Sequence, residues 1–399
     1  MTHQEDLDLF SDARTERARP VRKPRKRKRN RAVLWGSLLV VLGLIAVAGY
    51  FGLQQILGIG GYDDYSGNGE SQVVVQVKNG ESTGDIANTL AGADVVASAR
   101  AFVAAAETDE RVRAIQPGYY VVKTKSSGGA AVDQIVAKDA KVGNLQITAG
   151  TQLADIKNAG KVTPGIVAEL VQASCADLNG KSTCVKADAL WASLKKIDIA
   201  KLGVPDWAVP YAQKAPPERR LEGLIMPGVY DVKPGSSADE LWKELVTNST
   251  TQLQAAGMPN IAQDTGFTPY QVTIMASLVE REAIGKDFPK VSRVTYNRLA
   301  KRMQLQYDST VNYVLDRPTI RTDAGDRNKA GPYNTYKNTG LPPTPISAPS
   351  PEALKAAAAP AKGNWLYFVR CQKDGTSCFA TTQAQHDANV AAAQRRGAY

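Results

Sequence analysis

Histidine is almost missing from this chain. Only two occur in 399 residues, His3 in a charged tail and His386 near the far end. No histidine-based triad and no histidine-rich metal site can be assembled from them. Nor is there a Walker-type phosphate loop, or a GxGxxG following a predicted strand, which removes the nucleotide-binding readings. Cysteine is sparse, with Cys175 and Cys184 forming one close pair, Cys371 and Cys378 another, and no CxxC. Any catalysis therefore falls to carboxylates, and neither a metal nor a cofactor is expected.

One stretch offers such a carboxylate. Val272–Ala283 (VTIMASLVEREA) is an apolar helix with glutamates at 280 and 282. With Val279 at zero on a helical wheel, Val272, Met275 and Ala276 fall within about 60° and Glu280 about 100° away. Glu280 shares its side with Thr273, Ala276 and Ser277, whose small side chains leave space over the carboxylate. Burial there disfavours the charged form, and a glutamic acid that keeps its proton near neutrality can act as a general acid. The same pattern also suits a structural glutamate on a helix flank.

Residues 32–53 carry no charge, and a helix of that length rises about 33 Å, enough to cross a hydrocarbon core of about 30 Å. Upstream lies PVRKPRKRKRNR, and downstream no charge appears until Asp63. The positive-inside rule then puts the N-terminus in the cytoplasm and the large C-terminal part across the cell membrane, inner or plasma, as a single-pass protein. Residues 1–31 hold eleven Lys and Arg against five Asp and Glu, a net +6 of the chain's +10. The high charge thus belongs mostly to a tail attracted to anionic lipid, and no nucleic-acid partner is expected. Export also fits the cysteines: each pair brackets turn-like sequence, so local bridges 175–184 and 371–378 are expected.

After a Gly-rich tether ending at Glu70, one pattern recurs three times. Gly80, Gly150 and Gly235 are followed by Asp85-Ile86, Asp155-Ile156 and Glu240-Leu241, and preceded by alternating apolar residues. That is a strand, a glycine turn and a capped helix. Pro-Gly-x-Tyr-x-Val occurs at Pro117–Val122 and again at Pro227–Val232. The segment 157–220 reads as irregular. Residues 333–350 are turn-dense, with X-Pro steps that exclude a regular element. Asn364–Arg370 reads as a buried strand pairing with the stretch from Phe379.

Six motifs stand in order along the chain: Leu221-Glu-Gly223 with Pro227 and Tyr230, Ala276–Glu282, Asn297-Arg-Leu299, Leu305-Gln-x-Asp-x-Thr-Val311, Asn334-Thr-Tyr336 and Gly340–Ile346. In these the chain resembles the MltG-type (YceG-like) endolytic murein transglycosylases, from about Val73 to Arg395. The resemblance implies an α+β fold with a single N-terminal transmembrane helix, a small LysM-like β-α module and a mixed α+β catalytic domain. The expected organisation is a basic tail over 1–31, the membrane helix over 32–53, a flexible linker over 54–70, the module over 71–145 and the catalytic domain over 146–396. It also implies cleavage of the MurNAc–GlcNAc bond of nascent peptidoglycan, leaving 1,6-anhydro-MurNAc ends and terminating glycan elongation. Glycan strands are the implied substrate, and peptidoglycan synthases or divisome proteins the implied partners.

By the same resemblance the acid/base falls on Glu280, with Gln306, Asp308, Thr310, Asn334, Tyr336 and Glu222 as substrate-binding candidates. Each of the latter suits a capped turn or a satisfied buried group equally well. Glu282, about 200° round the helix from Glu280, is the rival, and its wheel position beside Met275 suggests a structural pair, for instance with Arg298. The chain departs from the family pattern at Gly228, Tyr307 and Ser309, and Gly375–Phe379 lacks the family's turn histidine. A hydrolase using Asp308 as a second carboxylate, and a non-catalytic membrane-anchored scaffold that binds peptidoglycan, are the competing readings.

Overall fold

The computed structural model describes residues 61–398, apart from 159–160 and 316–322, together with Leu42, Gly43, Ile45 and Val47. The expected transmembrane helix, the basic tail and the start of the tether thus lie outside the described residues or touch them at those four positions. Among the described residues no helix is long and apolar enough to cross a membrane.

The three glycine units share one physical design. Gly80, Gly150 and Gly235 all take the left-handed conformation, at φ 79°, 81° and 80°, which a side chain would strain. In the first unit the strand Gln72–Val77 turns at Gly80 into the helix Thr83–Gly92, and Ser82 and Asp85 form a capping box. Gly235 joins the strand Gly228–Asp231 to the helix Ala238–Ala255 through the same box, made by Ser237 and Glu240. Around Gly150 the expected helix does not follow directly. A hairpin, Ile156–Asn158 with Lys161–Thr163, is inserted first. The helix Ile166–Ala173 then starts on the carbonyls of Gln152 and Leu153, and Asp155 accepts from Gly165 N at 2.8 Å. In all three units the acidic side chain accepts from the backbone N–H of the residue at the helix's N-cap.

The paired Pro-Gly-x-Tyr-x-Val signatures also act alike. Tyr120 donates its hydroxyl to Gln116 O and Tyr230 to Met226 O, each at 2.6 Å, bracing the strand entry from inside. In the first signature the strand Gly118–Lys123 pairs antiparallel with Gln72–Val77, and Lys141–Val142 adds a third strand. Ile86, Leu90, Phe102, Val122 and Ile135 fill the core beneath them. Burying one such side chain contributes about 1.5–3 kcal/mol. Residues 63–65, read from sequence as free tether, are tied to this core. Ser98 Oγ donates to Asp63 O (2.7 Å), Gly128 N to Asp64 (2.9 Å) and Tyr65 Oη to Asp94 (2.6 Å).

From residue 144 on, the chain is a mixed α+β assembly around two cores. Asn144–Ile147 pairs with Gly228–Asp231 over the first, where Trp242, Leu245, Tyr270 and Leu278 are buried. The second lies between the helices Pro269–Glu282, Phe288–Ala300 and Pro351–Ala358, around Met275, Val279, Val291 and Leu354. Segment 157–220 is more ordered than expected. Ile166, Val167 and Leu170, then Leu190 and Leu194, recur at helical spacing and bury two helices, Ile166–Ala173 and Ala187–Lys196. Both expected disulfides are present, Cys175–Cys184 and Cys371–Cys378. The first brackets a hairpin whose tip residue Asn179 reaches back to Gln72. Gln72 N donates to Asn179 Oδ1 (2.7 Å), and Asn179 returns its backbone N–H to Gln72 Oε1 (2.8 Å) and its side-chain Nδ2 to Gln72 O (3.1 Å). The second lies at the hairpin Tyr367–Arg370 with Ser377–Ala380; the first of these strands is half-buried to exposed, not fully buried as expected.

Candidate active site

The helix Pro269–Glu282 begins with a capping box between Thr268 and Gln271 and with proline in its first turn. From Val272 to Val279 every residue is buried, so its two glutamates sit where the helix leaves the core.

Glu280 meets residues from far along the chain. Small Ser277 leaves room beside the helix, and the turn-dense stretch after Gly340 fills it. Ile346 N donates to Ser277 Oγ (3.0 Å) and Ser347 Oγ to Ser277 O (3.3 Å). That course brings Ser350 to Glu280, whose Oε2 accepts from Ser350 N at 2.9 Å and Oγ at 2.5 Å. Ser350 is itself the N-cap of the helix Pro351–Ala358. A carboxylate beside a helix N-terminus is favoured there by the unpaired N–H groups and the helix dipole. The open space read from the wheel is therefore occupied, and Glu280 ties its helix to the helix Pro351–Ala358 at Ser350.

Glu282 faces the other way, toward the short helix Asp308–Asn312. Its Oε1 accepts from Ser309 N (3.4 Å) and, very closely, from Ser309 Oγ. Oε2 takes no hydrogen bond among the described residues. Burial raises its carboxyl pKa to about 7, with the Ser309 bonds and Arg281 opposing and the charge of Asp308 adding to the rise. The structural pair with Arg298 is absent. Arg298 instead donates to the carbonyls of Leu366 (2.6 Å), Leu305 (2.7 Å) and Gln304 (3.2 Å).

Asp308, next to Ser309 on that short helix, lies beside Glu282. Its Oδ1 accepts from Tyr336 Oη (2.7 Å) and Arg327 Nε (3.2 Å), and Oδ2 accepts from Arg327 Nη2 (3.1 Å). The guanidinium of Arg327 also covers the Tyr336 ring, 4.9 Å from its centroid. Burial and Asp308 push the Tyr336 hydroxyl well above its ordinary range. Gln306, two residues before Asp308, is exposed in the left-handed region (φ 54°), with Oε1 accepting from Arg298 at 3.3 Å.

The other three candidates lie behind this surface. Thr310 is fully buried and donates to Tyr307 O (2.7 Å). Asn334 braces a turn, donating to Arg327 O (2.9 Å) and Lys329 O (2.6 Å) and accepting from Tyr336 N (2.9 Å). Glu222, 2% exposed, accepts from Leu153 N (3.2 and 3.3 Å) and Tyr313 Oη (2.9 Å). No oxygen of these three is presented to a substrate, because each is turned into the protein.

The structure thus gathers Glu282, Ser309, Asp308, Arg327 and Tyr336 into one constellation. Sequence reasoning nominated Asp308 and Tyr336 for it. Ser309 stood out only as a departure from the family pattern, and Arg327 lies in polar sequence without periodicity. Fold and site together define a mixed α+β protein with one proton-bearing carboxyl at the end of a buried helix. The YceG-like family model matches residues 75–392, and the chain belongs to that family. It is similar to the endolytic murein transglycosylase of Streptococcus pneumoniae serotype 2, 28% identical over 385 residues covering 89% of this chain and 64% of the relative. The endolytic murein transglycosylase of Bacillus subtilis is 29% identical over 325 residues, covering 80% and 84%. This chain therefore spans 64% of the length of its pneumococcal relative. The crystal structure of a yceG-like protein from Listeria monocytogenes matches with a TM-score of 0.52 at 25% identity, covering 79% of this chain and 98% of that one.

Proposed function

We propose that this protein is an endolytic lytic transglycosylase of peptidoglycan and that Glu282, not Glu280, is its acid/base. One observation carries the assignment of the acid. Of the two glutamates, Glu282 combines a pKa raised to about 7, one oxygen held by Ser309 and the other without a partner among the described residues. A carboxyl that keeps its proton at neutrality can give it to the glycosidic oxygen between MurNAc and GlcNAc. The carboxylate left behind then takes the proton of the muramoyl C6 hydroxyl, whose oxygen closes on the anomeric carbon. The product is a 1,6-anhydro-MurNAc end, and no water is consumed. Proximity of the internal hydroxyl supplies much of the rate.

A hydrolase would need a second carboxylate to activate water or attack the sugar. Asp308 is the one at hand, but it receives Tyr336 and both ends of the Arg327 fork. That arrangement suits orienting a sugar through Tyr336 and Arg327. Tyr336 and the exposed Gln306 are the groups proposed to meet the glycan.

The strand–helix–helix–strand order from Gln72 to Lys123 supports reading 71–145 as a LysM-like sugar-binding module ahead of a catalytic domain over 146–396. Residues 32–53 are the proposed membrane anchor, with the basic tail in the cytoplasm. Such an anchor confines cutting to nascent strands beside peptidoglycan synthases or divisome proteins, ending their elongation. Digestion of uncrosslinked nascent glycan with mass analysis of the new termini is the test. Anhydro ends are expected from the wild type and from Glu280→Gln, and none from Glu282→Gln. Reducing ends heavier by one water would mean hydrolysis, and binding without cleavage would mean a scaffold.

A further inference from the structure

A helix of five residues cannot hold its own shape, because nucleation costs more than so few bonds return. Asp308–Asn312 carries both Ser309 and Asp308, so ties from outside must set its position. Its first residues have theirs: Ser309 on Glu282, Asp308 on Tyr336 and Arg327, Thr310 on Thr335 at 2.8 Å. At the other end the tie is Tyr313, the C-cap, whose hydroxyl donates to buried Glu222 at 2.9 Å.

Glu222 stands where several segments meet. Its oxygens hold Leu153 N on the loop after Gly150. The next residue, Gly223, packs so tightly on the 340–350 segment that a Cβ would come within 2.2 Å of Pro345. Arg219 lies over the Tyr313 and Tyr333 rings, at 4.8 and 4.6 Å. The charged and titratable groups around Glu222 are Arg219, Arg281, Tyr313 and, from the helix Pro269–Glu282, Tyr270. A neutral amide of the same size would avoid any charge at this buried position. Both its partners are donors, however, and a glutamine offers only one accepting oxygen.

We propose that Glu222 is a positioning residue: through Tyr313 it fixes the Asp308–Asn312 helix so that Ser309 stays seated on Glu282. This rests on Glu282 being the acid. Without that tie the short helix can pivot, and Glu282 loses the partner that aims its carboxyl.

The test compares Glu222→Gln, Tyr313→Phe and the double variant in the glycan-cleavage assay, with melting curves as the folding control. Each single change is expected to lower kcat about tenfold with KM within about twofold, and the double change to lose no more than either alone, since residues acting through one bond are not additive. The alkaline limb of the pH profile should move upward in all three, because Ser309 no longer stabilises the charged form of Glu282. Wild-type kcat in the folded single variants, additive losses, or a change confined to KM would overturn the proposal. An active Glu282→Gln would instead sink the assignment of the acid, so the two failures are told apart.

Discussion

Two glutamates two residues apart on one helix meet opposite fates. Glu280 is held by Ser350, Nature's usual cap residue at the start of a helix, and joins two helices together. Glu282 is held at one oxygen, leaves the other open, and retains its proton to about pH 7. The helix supplies the same backbone to both. The difference comes from which distant segment crosses its end: 344–350 on one side, 308–309 on the other. On the proposed assignment, burial alone does not select the acid; what matters is whether a carboxylate's oxygens are already committed.

The largest expected effect is on turnover. Glu282→Gln removes the transferable proton and should lower the rate of anhydro-end formation by about a thousandfold or more, whereas Glu280→Gln should stay within about threefold. An inactive but folded Glu280→Gln beside an active Glu282→Gln would reverse the assignment. Stability against pH is next. Glu222 and Glu282 keep their protons to about pH 7, against 4.5 for an ordinary glutamate. Between those values the folded chain binds protons that the unfolded chain has released. Stability from these two groups is thus full below about pH 4.5 and falls as pH rises to about 7, by roughly 3 kcal/mol each. Denaturant unfolding from pH 4.5 to 8 measures this, and Gln at either position should flatten the curve.

Glu280→Gln weakens a charge-assisted cap, so about 1–2 kcal/mol of stability should be lost, read from the shift of the urea midpoint at constant slope. The smallest shift is in the pH profile of Ser309→Ala, whose kcat should fall about tenfold, as in the variants that unseat Ser309. Without its hydroxyl the charged form of Glu282 loses support, and the alkaline limb of kcat/KM should rise by less than about one pH unit. A downward shift would mean that Ser309 acts otherwise.

How much of this was legible in the sequence depended on range. The glycine turns, the acidic caps and the Tyr120 and Tyr230 braces are encoded within a few residues, and their spacing announced them. Both disulfides close short loops and were legible for the same reason. Asp308 and Tyr336 were found through motif resemblance, and the structure joins them by a hydrogen bond. The choice between Glu280 and Glu282 was not legible. A helical wheel treats every turn as lying in the same surroundings, but the last turn overhangs the core, and its neighbours come from up to 70 residues away. Segment 157–220 hides its order because its helices are short and a hairpin separates the first two, so no single period runs through it.

The reach of Asn179 back to Gln72 bears on a hazard common to sheet proteins. Gln72–Val77 is a margin of its three-stranded sheet, and unpaired peptide groups along such a margin invite another chain to zip on. At Gln72 both the N–H and the C=O are answered by one asparagine amide, 107 residues away. A single side chain thus stands in for a neighbouring strand at the first residue of that margin.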